Sequence, residues 1–249
     1  MFESEYLFLS LIAFFAFLVK ALTGFGPAIV FIALGSLLMP VQVIIPISAF
    51  LDVLAGALML RMDWSKDGFR FWLPLTILMI IGSVVGSIFL KFISPAPLKV
   101  LIAFTILLLG VWFVLRRAKV DEYKLTHSLP PLPSLSDGGF TFLGGFCAGL
   151  LGIGGPPLVW QFGRKFPKRI FRQVLIPIFL SSSIARVIVY TSIGILDQKV
   201  IFNALVSIPG LIFGLYWGNR IFLRVHEGSF SRIIGGFLIL VAIQLLRSY

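Results

Sequence analysis

The sequence FLVKALTGFGPAIV at 17–30 stops an apolar run at a Gly-Phe-Gly-Pro break and then starts another. A second stretch, FCAGLLGIGGPPLV at 146–159, does the same about half a chain later. Proline suits the first position of a new helix, where its missing N–H costs nothing. Glycine lets the backbone turn sharply or approach a ligand closely. Each break therefore reads as one short helix ending and another beginning.

The chain divides into ten apolar segments. The first five are 6–22, 26–38, 41–60, 71–91 and 97–115. A polar connection at 116–137 follows, with Arg116, Arg117, Lys119, Lys124, Pro130, Pro131 and Pro133. The second five are 138–151, 155–163, 173–195, 200–223 and 229–247. Of 249 residues, 59% are hydrophobic and 12% charged, the latter about half the ~25% of soluble domains. Such a chain has too few polar residues to cover a surface in water, so it faces lipid. Backbone groups in lipid need internal partners, which leaves helices or a closed barrel. Unbroken apolar runs favour helices over the alternating pattern of a barrel.

Two further matches support an internal duplication. IIPIS at 44–48 pairs with LIPIF at 175–179, and GSVVGSIFLKF at 82–92 with GLYWGNRIFLRV at 214–225. The fold class expected is an all-α, polytopic transmembrane bundle of two repeats, 1–115 and 138–249, around the linker 116–137. Five segments per repeat is odd, so the second copy is inverted, with its glycine-broken short helices near the midplane. The loops 61–70, 116–137, 164–172 and 220–232 carry three, four, five and three basic residues, 15 of the chain's 21. That bias assigns these loops to the cytoplasm and both termini to the other side of a multi-pass inner membrane. The short segments contribute an even count whether they cross or re-enter. The start, with Glu3 and Glu5, lacks the basic region of a cleavable signal.

The net charge of +11 would suggest nucleic acid on a soluble protein. Here it orients the chain in the bilayer, and no nucleic-acid partner is expected. The dense run Arg164 to Arg169 with Arg172 reads as a headgroup anchor. A single Cys147 excludes an internal disulfide. The two histidines, His127 and His226, lie in expected loops, so neither a metal nor another cofactor is indicated.

The residues that can carry chemistry lie at the breaks and inside the runs. Helix starts facing each other from the two breaks would aim free N–H groups and positive dipole ends at a common point. Candidate substrate contacts there are Thr23, Gly24, Phe25, Gly26, Pro27, Gly152, Gly154, Gly155 and Pro156. Three ionisable residues fall inside apolar runs: Lys20, Asp52 and Arg186. Such residues are costly in a bilayer and are paired or functional. The IIPIS–LIPIF match sets Asp52 opposite Ser183, with Arg186 one helical turn beyond, so the two charges can meet. Two readings stand for them. One is a salt bridge holding the bundle; the other gives Arg186 and Lys20 to an anionic substrate and leaves Asp52 as a proton-coupling candidate. Ser182, Ser183 and Gln161, with Ser181 and Gln173 nearby, can donate to an oxyanion or to neighbouring helices. Gly-x-x-x-Gly at 82–86 and 214–218 reads as close helix packing.

The breaks TGFGP and LGIGGPPL, together with GSVVG and GLYWGNR late in each half, resemble the sulfite exporter TauE/SafE family over nearly the whole chain. The resemblance implies a secondary transporter, often an exporter, of sulfite or organosulfonates by alternating access between the halves. The chain departs from the family's commoner glycine pattern at Phe25. Competing readings are a transporter or channel for another small anion or carboxylate, and a non-transporting scaffold. A polar cavity between the breaks would favour transport; a dry, tight interface would favour the scaffold.

Overall fold

The computed structural model describes residues 2–23, 26–63, 69–115, 132–163, 165, 166 and 168–222, with 239 and 243 as single positions. Helix α1 spans Phe2–Thr23, α2 Pro27–Gly35, α3 Val41–Asp63, α4 Phe69–Leu90 and α5 Pro95–Leu115. Then come α6 Leu135–Leu151, α7 Gly155–Phe162, α8 Lys168–Ser192 and α9 Gln198–Phe222. No strand occurs among the described residues. The tenth expected segment, 229–247, lies outside them apart from its two single positions.

Among the described residues, five helices are long and apolar enough to cross a bilayer: 5–22, 41–61, 69–90, 170–192 and 198–221. Their outer faces carry large exposed apolar side chains such as Phe15, Ile77, Ile188 and Phe213. Helices α2 and α7 have 9 and 8 residues. At 1.5 Å per residue each is about 12–14 Å long, under half a ~30 Å hydrocarbon core. Neither can cross, so α1–α2 and α6–α7 are hairpins whose second arm is half-length.

Local sequence explains where these arms begin and end. Gly26 precedes α2 with φ 82° and Pro27 opens it. Gly152 closes α6 with φ 74°. Side chains rarely adopt that left-handed conformation, so glycine is needed at both tips. Helix α6 starts at Leu135, inside the stretch 116–137 expected to be linker. The reason is a capping box: Ser134 Oγ accepts from Asp137 N, and Asp137 Oδ2 accepts from Ser134 N at 2.9 Å.

The tightest packing joins the halves. Gly82 and Gly86 of α4 lie against the α6 backbone at Phe142 and Phe146, while Gly145 and Gly149 of α6 lie against Met79 and Ser83. Gly210, Gly214 and Gly218 of α9 lie likewise against Ser10, Phe14 and Leu18 of α1. In both pairs the residue numbers rise together, so α4 runs parallel to α6 and α9 parallel to α1. Laying the expected second repeat over the first exchanges one pair for the other. Helices α3 and α8 pack between them.

These glycines make one prediction. A Cβ at Gly214 would collide with the α1 backbone at Phe14, whereas nothing stands near Gly139 on α6. Gly214→Ala is expected to destabilise the detergent-purified protein by about 1–3 kcal/mol, the range for overpacking. Gly139→Ala is expected to stabilise by up to about 1 kcal/mol through helix propensity. Thermal unfolding of the two variants checks the contrast.

Candidate functional site

The three ionisable residues inside the apolar runs converge. Lys20 lies in the last turn of α1, where a cation suits the carbonyl end of the helix dipole. Asp52 is at the middle of α3, and Arg186 is on α8 three residues past Ser183. All three are buried, with 4%, 7% and 2% of their surface exposed. Lys20 Nζ donates to Asp52 Oδ1 at 2.6 Å. Arg186 Nη2 reaches the other carboxylate oxygen, Oδ2, at 3.3 Å.

These two distances differ in meaning. Charge-assisted N–H···O bonds are about 2.7–2.9 Å when strong. Lys20 therefore holds Asp52 tightly, and Arg186 holds it loosely. Arg186 Nη2 also donates to Ser183 Oγ at 3.1 Å, and Nη1 to the Ala148 carbonyl at 3.4 Å. Its Nε is buried and has no hydrogen-bond partner among the described residues. A guanidinium carries five donors in a fixed fork, so Arg186 keeps unused capacity. The group of three sums to +1.

Both hairpin tips meet these charges. A cavity of about 20 Å³ is lined by Lys20, Asp52, Arg186, Gly26, Pro27, Ala28, Ile29, Ala148, Gly152, Ile153, Gly154, Gly155 and Phe179. The carbonyl ends of α1 and α6 thus lie beside the cations, and the amide ends of α2 and α7 face the space an anion would take. The two amide ends are unequal. Proline has no N–H, so Pro156 and Pro157 remove two first-turn donors from α7, while α2 loses only that of Pro27. The richer supply comes from α2, at Ala28 and Ile29.

Helix α8 also bonds the tip of each hairpin. Tyr190 is fully buried and its hydroxyl donates to Gly149 O of α6 at 2.6 Å. Arg172 Nη1 donates to Ala21 O of α1 at 3.1 Å, and Nη2 to Asn219 Oδ1 at 3.0 Å. Arg172 is only 4% exposed, so it is no headgroup anchor, contrary to the reading from the basic run. It closes one of the last-turn carbonyls, that of Ala21, which a helix end leaves orphaned. Neither residue stood out in the sequence. Tyr190 had no signal beyond lying one turn past Arg186, and Arg172 was absorbed into the charge run.

Of the other residues picked from sequence, Gly26, Pro27, Gly152, Gly154 and Gly155 line the cavity. Ser183 touches it through Arg186. Ser182 does not line it; its hydroxyl bonds Ser83 Oγ of α4 at 2.6 Å. Pro156 is half-buried and off the lining. Gly24, Phe25 and the Thr23 side chain lie outside the described residues.

Gln161 points elsewhere. Its amide donates to Asp137 Oδ1 at 2.7 Å and to Ser136 Oγ at 3.0 Å, beside Lys165 Nζ on Asp137 at 2.6 Å. Asp137 lies just outside the apolar run 138–151. Burial raises its carboxyl, but the bonds from Lys165, Gln161 and Ser134 outweigh that and hold it below its ordinary 3.8. A carboxyl lowered in the folded state stabilises above its unfolded value and loses that contribution as pH falls through the folded one. Asp137→Asn is therefore expected to cost about 1–2 kcal/mol at neutral pH, discounted for an exposed Lys165. The difference from wild type should vanish below the folded value, in acid melts of both proteins.

A family model described as sulfite exporter TauE/SafE matches residues 9–245. The chain is also similar to a protein of Cupriavidus necator named "Probable sulfite/organosulfonate exporter TauE". The two are 26% identical over 237 residues, which cover 91% of this chain and 88% of the relative. No solved structure matches.

Proposed function

Because the chain belongs to the sulfite exporter TauE/SafE family, we propose that it is a secondary transporter moving sulfite or an organosulfonate out of the cell across the cytoplasmic membrane. The single observation that carries this reading is Arg186: buried, loosely paired, with an unpartnered Nε, on a cavity between two broken helices. The relative's name supports the sulfur-anion class. Two intramembrane cations and two amide ends suit an oxyanion better than a cation or a sugar.

The residues then take distinct roles. Arg186 supplies charge and a fork of donors that matches a planar oxyanion edge. Ala28 and Ile29 supply backbone N–H groups. Lys20 and Asp52 neutralise each other and set the charge that remains. A cavity of about 20 Å³ has room for roughly one water molecule, so a sulfonate enters only when a hairpin tip moves. Tyr190–Gly149 at one tip and Arg172–Ala21 at the other are the contacts such movement breaks. Arg172 and Tyr190 reach from opposite ends of α8 toward the two tips that meet at the cavity, so each bond holds one tip. Opening them in turn gives alternating access between inverted halves, 1–115 and 138–249, with the linker 116–137 in the cytoplasm.

A structural reading of the same residues also has an observation behind it, since Asp52 already contacts both cations. Flux separates the two. Purified protein in liposomes is expected to give saturable uptake of labelled sulfite, inhibited by isethionate. Folded protein with uptake no faster than protein-free liposomes would leave the triad as a bundle-holding bridge.

A further inference from the structure

The charge of the cavity limits what can be carried. Lys20 and Arg186 bring two positive charges and Asp52 one negative, all at 7% exposure or less. Other charged groups do not alter that sum among the described residues. Helix α2 has no titratable residue, and α5 has only Lys99 near its first turn. Helix α9 has Lys199 and Arg220 at opposite ends, with Tyr216 exposed. On α6, Asp137 is held by Lys165 at the far end and Cys147 is a partly buried thiol, and on α3 Arg61 lies exposed in the last turn. On α8, Arg172 is bonded to Ala21 and Asn219, and Tyr190 to Gly149. Helix α1 has its acidic residues and Tyr6 at the opposite end from Lys20.

We infer that each transport cycle carries one net negative charge: a monoanion alone, or a dianion together with one proton bound by Asp52. The inference rests on the transport reading above. A monoanion brings the enclosed site from +1 to zero. A dianion would leave it at −1 in a buried space, and uncompensated buried charge is strongly disfavoured. One proton from the aqueous phase, added to the Asp52 carboxylate while the cavity is open, restores neutrality. It leaves with the substrate on the other side. Asp52 is the carboxylate in the cavity and lies within reach of both cations, so the proton that cancels the second charge belongs there.

The test uses two probes of similar size that differ by one charge. Isethionate is a monoanion; sulfoacetate is a dianion at neutral pH because its carboxyl is ionised. Full-length protein in liposomes, with the membrane potential clamped, is assayed for labelled uptake and for charge moved per molecule. One charge per molecule is expected for both. Sulfoacetate uptake is expected to rise with external acidity, up to about tenfold per pH unit for a one-proton linkage, while isethionate uptake stays flat. Asp52→Asn raises the site to +2, so sulfoacetate is expected to become preferred, by about tenfold or more, and insensitive to pH. If that variant does not fold, ethane-1,2-disulfonate replaces sulfoacetate on the wild type: it has no carboxyl to protonate, so one charge per molecule places the proton on the protein, and two charges per molecule overturns the inference. Two charges per sulfoacetate, or the same pH response for both probes, overturns the inference and leaves transport standing. No uptake of either probe by folded protein overturns the transport reading itself.

Discussion

Arg186→Ala is expected to abolish sulfite and sulfonate uptake while leaving a folded protein. The variant removes the loosely bonded member of the triad and keeps the tight Lys20–Asp52 pair at 2.6 Å. Those two charges then cancel, and the cavity drops from +1 to zero. An anion entering it would be the uncompensated charge, a penalty of several kcal/mol. Uptake should fall by about a hundredfold or more, since each 1.4 kcal/mol is tenfold. Arg186→Lys restores the charge but not the planar fork, so partial recovery is expected. The checks are uptake by each reconstituted variant and a monodisperse elution profile. Unaltered flux in Arg186→Ala would exclude Arg186 as a substrate contact.

The largest loss of stability is expected at Asp52. Asp52→Ala leaves Lys20 and Arg186 buried together without a counter-ion. Removing one partner of a buried pair costs about 3–5 kcal/mol, and here two cations lose theirs. Lys20→Met should cost less, because Asp52 keeps Arg186 at 3.3 Å. Combining Lys20→Met with Asp52→Ala should recover stability relative to Asp52→Ala alone, since only one cation stays exposed to the apolar surroundings. Thermal unfolding in mild detergent ranks the three. Equal melting of Asp52→Ala and wild type would mean that the triad holds nothing together.

The architecture was legible in the sequence where a physical rule acts on the chain locally. Long apolar runs, glycine-proline breaks and charges inside the runs marked helices, tips and the buried charge cluster. Nine of the ten expected segments correspond to α1–α9. The meeting of Asp52 with Arg186 followed from laying one half over the other. What the sequence left open was length against membrane thickness. The runs 26–38 and 155–163 became half-length helices, because Gly35 and Phe162 end them well short of a crossing. Contacts between distant segments were hidden for another reason. Gln161 is a donor by composition, but Asp137 and Ser136 take it, 24 and 25 residues away. Arg172 sat in a basic run and looked solvated until α1 brought the Ala21 carbonyl to it. Tyr190 and Phe179 are ordinary apolar-helix residues by sequence; only packing puts one on a hairpin tip and the other on the cavity wall. The doubled proline of Gly155-Pro156-Pro157 was read as a helix start, and its removal of two N–H donors mattered only once α2 stood opposite.

Ligand-dependent melting shows whether an anion binds at Arg186 between the two tips. A ligand at a hundred times its dissociation constant stabilises the state it binds by about 2.7 kcal/mol. Wild-type protein in detergent, titrated with sulfite or isethionate against chloride at constant ionic strength, should melt at progressively higher temperature. Arg186→Ala should not respond. An equal rise in both proteins would move the binding site away from Arg186.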